Sequence, residues 1–204
     1  MLRYAISNGL YGMHAGSRTG TDARTALLTQ ARHLASKGVD FFQLREKNLP
    51  AGDLADLARE ILTIFRQQNA PTRLLLNTRA DVALATAAHG VHLTSSPDAL
   101  TPTQIRTLYR ELNLPAPTIS KACHMLDEVN QARVQDPDLI LFSPVFGKPG
   151  ARATGLDPLR QACVLARPVP VLALGGVTRE NASACLRAGA HGIAAIRLFQ
   201  PINP

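Results

Sequence analysis

The chain is predicted to be an α/β protein, a (β/α)8 TIM barrel with its eighth helix missing or truncated. Three observations predict this. Short apolar runs alternate with amphipathic stretches from end to end, the apolar runs number eight, and only the eight residues Arg197 to Pro204 follow the last of them. Strict alternation of strand and helix implies a parallel sheet covered by helices. Eight strands in 204 residues sit at the small end for a closed barrel. An open doubly wound sheet is the rival. It would need a glycine-rich first turn, and Asn8-Gly-Leu-Tyr-Gly12 matches that fingerprint poorly.

The elements follow in order. Strand one is predicted at Leu2 to Ser7 and helix one at Asp22 to Ser36, with Gly38 as its stop. Strand two runs from Asp40 to Leu44 and helix two from Ala51 to Gln68. Arg73 to Leu76 with Ala80 to Ala88, and Gly90 to Leu93 with Thr101 to Leu112, form the third and fourth units. Pro102 falls in the first turn of its helix, where a missing N–H costs nothing. Pro117 to Ala122 with Leu126 to Val134, and Asp138 to Phe142 with Asp157 to Ala166, form the fifth and sixth. Val169 to Leu174 precedes a helix at Arg179 to Ala188, with Thr178 as N-cap and Gly189 as C-terminal stop. Gly192 to Ile196 is the last strand. Two prolines among the last four residues leave no room for an eighth helix. An apolar strip near the first and seventh helices should therefore be uncovered, a surface suited to a homo-oligomer contact.

Composition bounds the rest. With 46% hydrophobic residues, the chain can bury one core, and residues 1–204 are expected to form a single barrel domain. No apolar run reaches membrane-spanning length and no secretory leader is evident, so no membrane partner and a cytoplasmic location are expected. Three cysteines without C-x-x-C spacing (Cys123, Cys163, Cys185) argue against disulfides and structural zinc. The formal charge of +7 suits anionic partners. Nucleic acid is disfavoured, because the arginines are dispersed, tryptophan is absent and aromatic residues are only 4%. A small phosphorylated ligand remains.

In a barrel, chemistry gathers where strands run out. Along Asp40-Phe-Phe-Gln-Leu-Arg-Glu-Lys47, alternation puts Gln43, Arg45 and Lys47 on one side and Leu44 and Glu46 on the other. A guanidinium, an amine and an amide together form an anion receptor. Strand three ends at Asn77, strand four at His92 and Thr94, and strand five at His124 with Lys121 just before it. Lys148 follows strand six. Gly175-Gly176 follows strand seven, where backbone N–H groups and the next helix N-terminus can receive a phosphate, and Arg197 follows strand eight. A tight turn that merely needs positive φ is the plainer reading of the two glycines.

His124 stands alone. Cys123 is adjacent, but alternation turns it to the helix shell, so no Cys–His nucleophile forms. A lone imidazole suits acid–base work, although lone histidines are more often structural. His89 and His92 do not share a helix face and are poor metal ligands together. The strand-three and strand-four ends carry Asn77, Thr78, Thr94 and Ser95 rather than carboxylates, with Asp98 the nearest acid on the fourth loop. Magnesium favours carboxylates with substrate phosphates, so no metal or other cofactor is expected.

These residues resemble the thiamine phosphate synthase/TenI superfamily over almost the whole chain. The matching segments are Gln43-Leu-Arg-Glu-Lys47, Leu76-Asn-Thr-Arg-Ala-Asp-Val-Ala-Leu84, Gly90-Val-His-Leu93, Ala122-Cys-His124 with Asp127-Glu128, and Phe142-Ser-Pro-Val-Phe146. Lys148-Pro-Gly150, Gly155-Leu156, Val169 to Gly176 and Gly192-Ile-Ala194 continue the match. The resemblance implies the barrel fold and two kinds of chemistry. Synthases join a pyrimidine pyrophosphate to a thiazole phosphate with magnesium, held by an aspartate after the strand-three asparagine and another in the strand-four loop. Thr78 and Thr94-Ser-Ser-Pro97 stand in those places. Ala122 replaces a serine, the loop after strand six is shortened, and Arg197 stands where a small residue is expected.

Losing two metal ligands makes the chain look more like the TenI-like thiazole tautomerase branch, which aromatises a thiazole carboxylate phosphate without metal. The resemblance then gives His124 the acid–base role and Gly175, Gly176, Ile196 and Arg197 the phosphate. Gln43, Arg45, Lys47, Asn77 and Lys148 would line the shared substrate pocket. The expectation is a thiazole tautomerase. Its rivals are a synthase with magnesium on displaced ligands such as Asp98, and a non-catalytic thiazole phosphate-binding regulator.

Overall fold

The computed structural model describes residues 1–9, 20–147 and 153–201, with only the backbone of residues 20 and 21. Eight strands close into one parallel barrel: β1 Leu2–Ile6, β2 Phe41–Leu44, β3 Arg73–Asn77, β4 Gly90–Leu93, β5 Thr118–Cys123, β6 Leu139–Phe142, β7 Val171–Leu174 and β8 Gly192–Ala195. Each strand pairs with the next, and β8 returns to β1 with Leu2 opposite Gly192 and Ala5 opposite Ala195. Seven helices lie between them: α1 Gly20–Ser36, α2 Ala51–Gln67, α3 Ala80–Thr86, α4 Pro102–Glu111, α5 Leu126–Gln135, α6 Leu156–Leu165 and α7 Ala182–Arg187. The expected (β/α)8 architecture is thus observed, with boundaries moved by one to three residues.

The largest shifts have local causes. The helix expected from Arg179 starts three residues later, at Ala182, with Asn181 in the cap position. The Thr178 N–H donates to Asn181 Oδ1 at 2.8 Å, and Asn181 Nδ2 donates to the Gly176 carbonyl at 3.0 Å. That turn consumes the residues a first helical turn would have used. At α4, Pro102 begins the helix as expected, and Thr101 forms a capping box with Gln104. After β8, residues 196–201 make a turn and no eighth helix appears among the described residues. The gap persists as a groove of about 590 Å³ between α1 and α7, bordered by Leu34, Ala182, Ile193, Leu198 and Phe199. Phe199 packs against the apolar layers on both sides and narrows it.

Most strands are apolar on both faces, as a covered parallel sheet requires. Phe42, Leu44, Leu74, Leu76, Val91 and Ile119 meet one group of helices, and Ile140, Phe142, Val171, Ala173 and Ile193 meet the other. The alternate residues Tyr4, Ile6, Leu75, Leu139, Leu141, Leu172 and Ala194 fill the barrel interior. One interior layer is polar. Tyr4 OH lies 2.8 Å from Ser120 Oγ, which lies 2.9 Å from His92 Nδ1, all buried. His92 is therefore a floor beneath the barrel mouth rather than a strand-end group. Gly90 and Gly192 carry no side chain for a plain reason: a Cβ there would lie 1.8 Å from the Thr118 carbonyl oxygen and 2.1 Å from that of Leu2.

Gly90→Ala must push β4 from β5, so its urea midpoint should correspond to a loss of about 3 kcal/mol or more; an unchanged midpoint would contradict the packing. The second expectation concerns His92. Burial, chiefly, lowers its pKa from 6.5 to about 3. Once unfolded it binds a proton below its ordinary pKa, while the folded chain does not. Stability therefore falls as pH drops from 6.5 toward 3, by up to about 1.4 kcal/mol per pH unit from this group. His92→Gln should flatten this limb in urea titrations between pH 7 and 4; parallel pH profiles would refute it.

Candidate active site

The mouth is assembled at the C-terminal ends of the strands. Gln43, on the inward face of β2, is 2% exposed and donates from Nε2 to Asn77 Oδ1 on β3 at 2.8 Å. Asn77 Nδ2 in turn donates to Thr78 Oγ1 at 3.4 Å, which orients the amide pair. Gln43 Oε1 is left buried with no hydrogen-bond partner among the described residues. A buried acceptor in this state costs about 1–3 kcal/mol, which a ligand donor would recover.

Arg45 is half-buried just beyond β2, its backbone N–H donating to Ser7 Oγ at 2.8 Å. The same hydroxyl donates to Glu46 Oε1 at 2.7 Å, so the ends of β1 and β2 are clamped together. Lys47 departs from the expected alternation. β2 ends at Leu44 and the chain turns, with the Leu49 N–H on the Glu46 carbonyl. Lys47 consequently shares a cavity of about 180 Å³ with Leu44, Glu46, Leu54, Asn77, Thr78, Arg79 and Thr94. Thr78 sits there at φ +60°, an uncommon backbone conformation for a β-branched residue.

His124 follows β5 and is exposed, while Cys123 is buried among helix-facing residues, as alternation requires. Its Nδ1 lies 2.9 Å from the Ser143 carbonyl and 3.3 Å from Ser143 Oγ. A carbonyl only accepts, so Nδ1 carries the proton and the neutral ring presents Nε2 as the base. The His124 backbone N–H donates to Glu128 Oε2 at 2.5 Å. Ser143 was not singled out in the sequence; its signal was its place at the end of the next strand. Besides burial, electrostatic interactions with Arg45, Lys121 and His124 help to hold the His92 pKa down, so all three lie near it.

Gly175 and Gly176 leave β7 at φ +95° and +64°. A Cβ on either would lie 2.7 Å from Pro144 Cα or the Phe146 carbonyl oxygen. Both glycines are therefore required by packing as well as by conformation. The helix N-terminus expected behind them is absent: α7 is six residues long and begins at Ala182. Ile196 packs into the barrel interior, and Arg197 is exposed beyond β8, the neighbour of β7. Lys148 lies outside the described residues.

A magnesium ion held by the protein does not fit this donor set. All fifteen carboxylates of the sequence fall in described segments. Those nearest the mouth are engaged: Glu46 by Ser7, Glu128 by the His124 N–H, and Asp81 by two bonds from Arg79, which hold its pKa below the usual carboxylate range. No cluster of three metal-ligating side chains exists among the described residues. Asp98 is exposed on the β4–α4 loop and offers a single carboxylate.

Comparison with known proteins bears out the resemblance read from the motifs. A family model described as thiamine monophosphate synthase matches residues 17–199. The putative thiamine-phosphate synthase 2 of Aquifex aeolicus is 36% identical over 169 residues, covering 81% of this chain and 86% of the relative. The putative thiamine-phosphate synthase of Geobacter sulfurreducens is 38% identical over 176 residues, 83% of this chain and 78% of the relative. Among solved structures, thiamine phosphate pyrophosphorylase from Pyrococcus furiosus superposes with a TM-score of 0.73 at 25% identity, over 96% of this chain and 85% of that one. A 3-hexulose-6-phosphate synthase, 16% identical with a TM-score of 0.63, shares the fold alone. The barrel, its strand-end motifs and these relatives place the chain in the thiamine monophosphate synthase family.

Proposed function

We propose that this chain is an enzyme of thiamine biosynthesis and that it forms thiamine phosphate from a hydroxymethylpyrimidine pyrophosphate and a thiazole phosphate. The expectation of a tautomerase gives way as the first reading, because the relatives above carry the names of synthases, putative in two cases, and none that of a tautomerase. The observation that carries the synthase reading is Gln43 Oε1, buried at the floor of the mouth without a donor. An aminopyrimidine supplies an N–H there; a thiazole ring does not.

The remaining groups take roles in keeping with that pair of substrates. Arg45 and Lys47 face the pyrophosphate, and Gly175, Gly176, Ile196 and Arg197 receive the thiazole phosphate. The bond between the pyrimidine methylene carbon and pyrophosphate oxygen breaks, its electron pair leaving with pyrophosphate, and the thiazole nitrogen bonds to that carbon. Fixed cations along the mouth stabilise the charge on the departing group.

A second reading rests on His124. With Nδ1–H held by the Ser143 carbonyl, Nε2 is a positioned base, which is what proton transfer on a thiazole carboxylate phosphate needs.

Incubating the purified protein with both synthase substrates should yield thiamine phosphate and pyrophosphate. Gln43→Leu should lower kcat/KM by about tenfold or more through loss of the pyrimidine contact. Absence of product from the wild type rejects the first reading. Turnover of the thiazole tautomer that disappears in His124→Asn would establish the second in its place.

A further inference from the structure

Closure of the ring leaves the interval from β8 to β1 without a helix among the described residues. Ile193 on β8 stands opposite Arg3 on β1, and both border the groove of about 590 Å³ between α1 and α7. That volume falls within the range of about 300–1,000 Å³ usual for small-molecule sites. Its apolar lining is chiefly Leu34, Val39, Ala182, Ile193, Leu198 and Phe199. The polar lining is Arg3, His33, Lys37, Arg179 and Gln200, with no carboxylate. Three of the basic residues gather at one end. Lys37 follows the last residue of α1, His33 lies one turn before it, and Arg3 donates from Nη1 to the Lys37 carbonyl at 2.9 Å. Arg3 is already compensated, since it also donates to the Gly38 carbonyl and lies 3.8 Å from Asp40. The Lys37 ammonium takes part in none of the ion pairs of the described residues. Arg179 precedes α7 at the other end, where its charge acts on Glu180.

We propose that this groove binds a linear amphipathic anion, a medium-chain carboxylate, with its head at Lys37 and its chain along Leu34, Ile193, Leu198 and Phe199. Charge selects the head: the lining offers cations and no anion of its own, and the one at Lys37 is unpaired. Shape selects the chain. The groove is a slot between two helices, and Phe199 packs against the apolar layers on both sides of it. A helix about 10–12 Å across fills about 400–600 Å³ per turn, so the space left holds about one turn and not a covering helix. A second copy placed on a two-fold axis would set the same basic residues against one another, which charge repulsion opposes. The inference is independent of the reaction proposed above, because no residue of the lining belongs to the mouth.

Calorimetric titration of the full chain with decanoate, below its micelle concentration, tests this. Saturable one-to-one binding is expected. Octanoate, two methylenes shorter, should bind about tenfold more weakly, and decylammonium should not bind. Lys37→Glu should weaken decanoate about tenfold or more. Lys37 is exposed, so this variant should melt with the wild type. Equal affinity for decylammonium, unchanged decanoate affinity in Lys37→Glu, or no saturable binding overturns the proposal. Two further outcomes would give the groove to another occupant and overturn it as well. One is a dimer in sedimentation that decanoate dissociates, which assigns the groove to a second copy. The other is a helical peptide with a leucine stripe and glutamate flanks that binds more tightly than decanoate, which assigns it to a protein partner.

Discussion

Strand alternation inside a closed barrel is the constraint from which the rest of this molecule follows. Closure gives each strand an inside and an outside, and both must be packed. Leu75, Leu141 and Leu172 fill the inside while Leu74, Ile140 and Val171 meet the helices. Where the interior packing stops, the next inward positions are Gln43, Asn77, Ser143 and the base of His124. The mouth is the continuation of the core by polar side chains on the same faces.

The interior is not uniformly apolar. The Tyr4–Ser120–His92 layer is linked by two hydrogen bonds, and its burial leaves His92 neutral. Above it the balance is different: Gln43 Oε1 and the Lys121 ammonium are under-satisfied. Of the buried side-chain atoms without a partner among the described residues, Gln43 Oε1 is the one at the mouth, where a ligand atom would complete it; the others belong to Gln30, Thr72 and Gln135.

Much of this was legible in advance. The eight strands, seven helices and the gap after β8 follow from apolar periodicity and from the prolines of the tail. Gly175 and Gly176 at the end of β7, and Cys123 opposite in direction to His124, follow from the period of two. The failures are local competitions that periodicity does not report. Lys47 left the predicted face because β2 ends at Leu44, and α7 starts at Ala182 because residues 179–181 form a turn of their own.

The sequence alone determined the barrel, the order of its elements, the family and the residue types at each strand end, because these depend on spacing and composition. Only the tertiary structure decided which of those residues are satisfied. Gln43 reaches Asn77 across 34 positions, Ser143 orients His124 across 19, and Lys121 finds no carboxylate. Such pairings depend on how far neighbouring strands project and where each one turns away. Those distances arise from closure of the ring and are not encoded in any single segment.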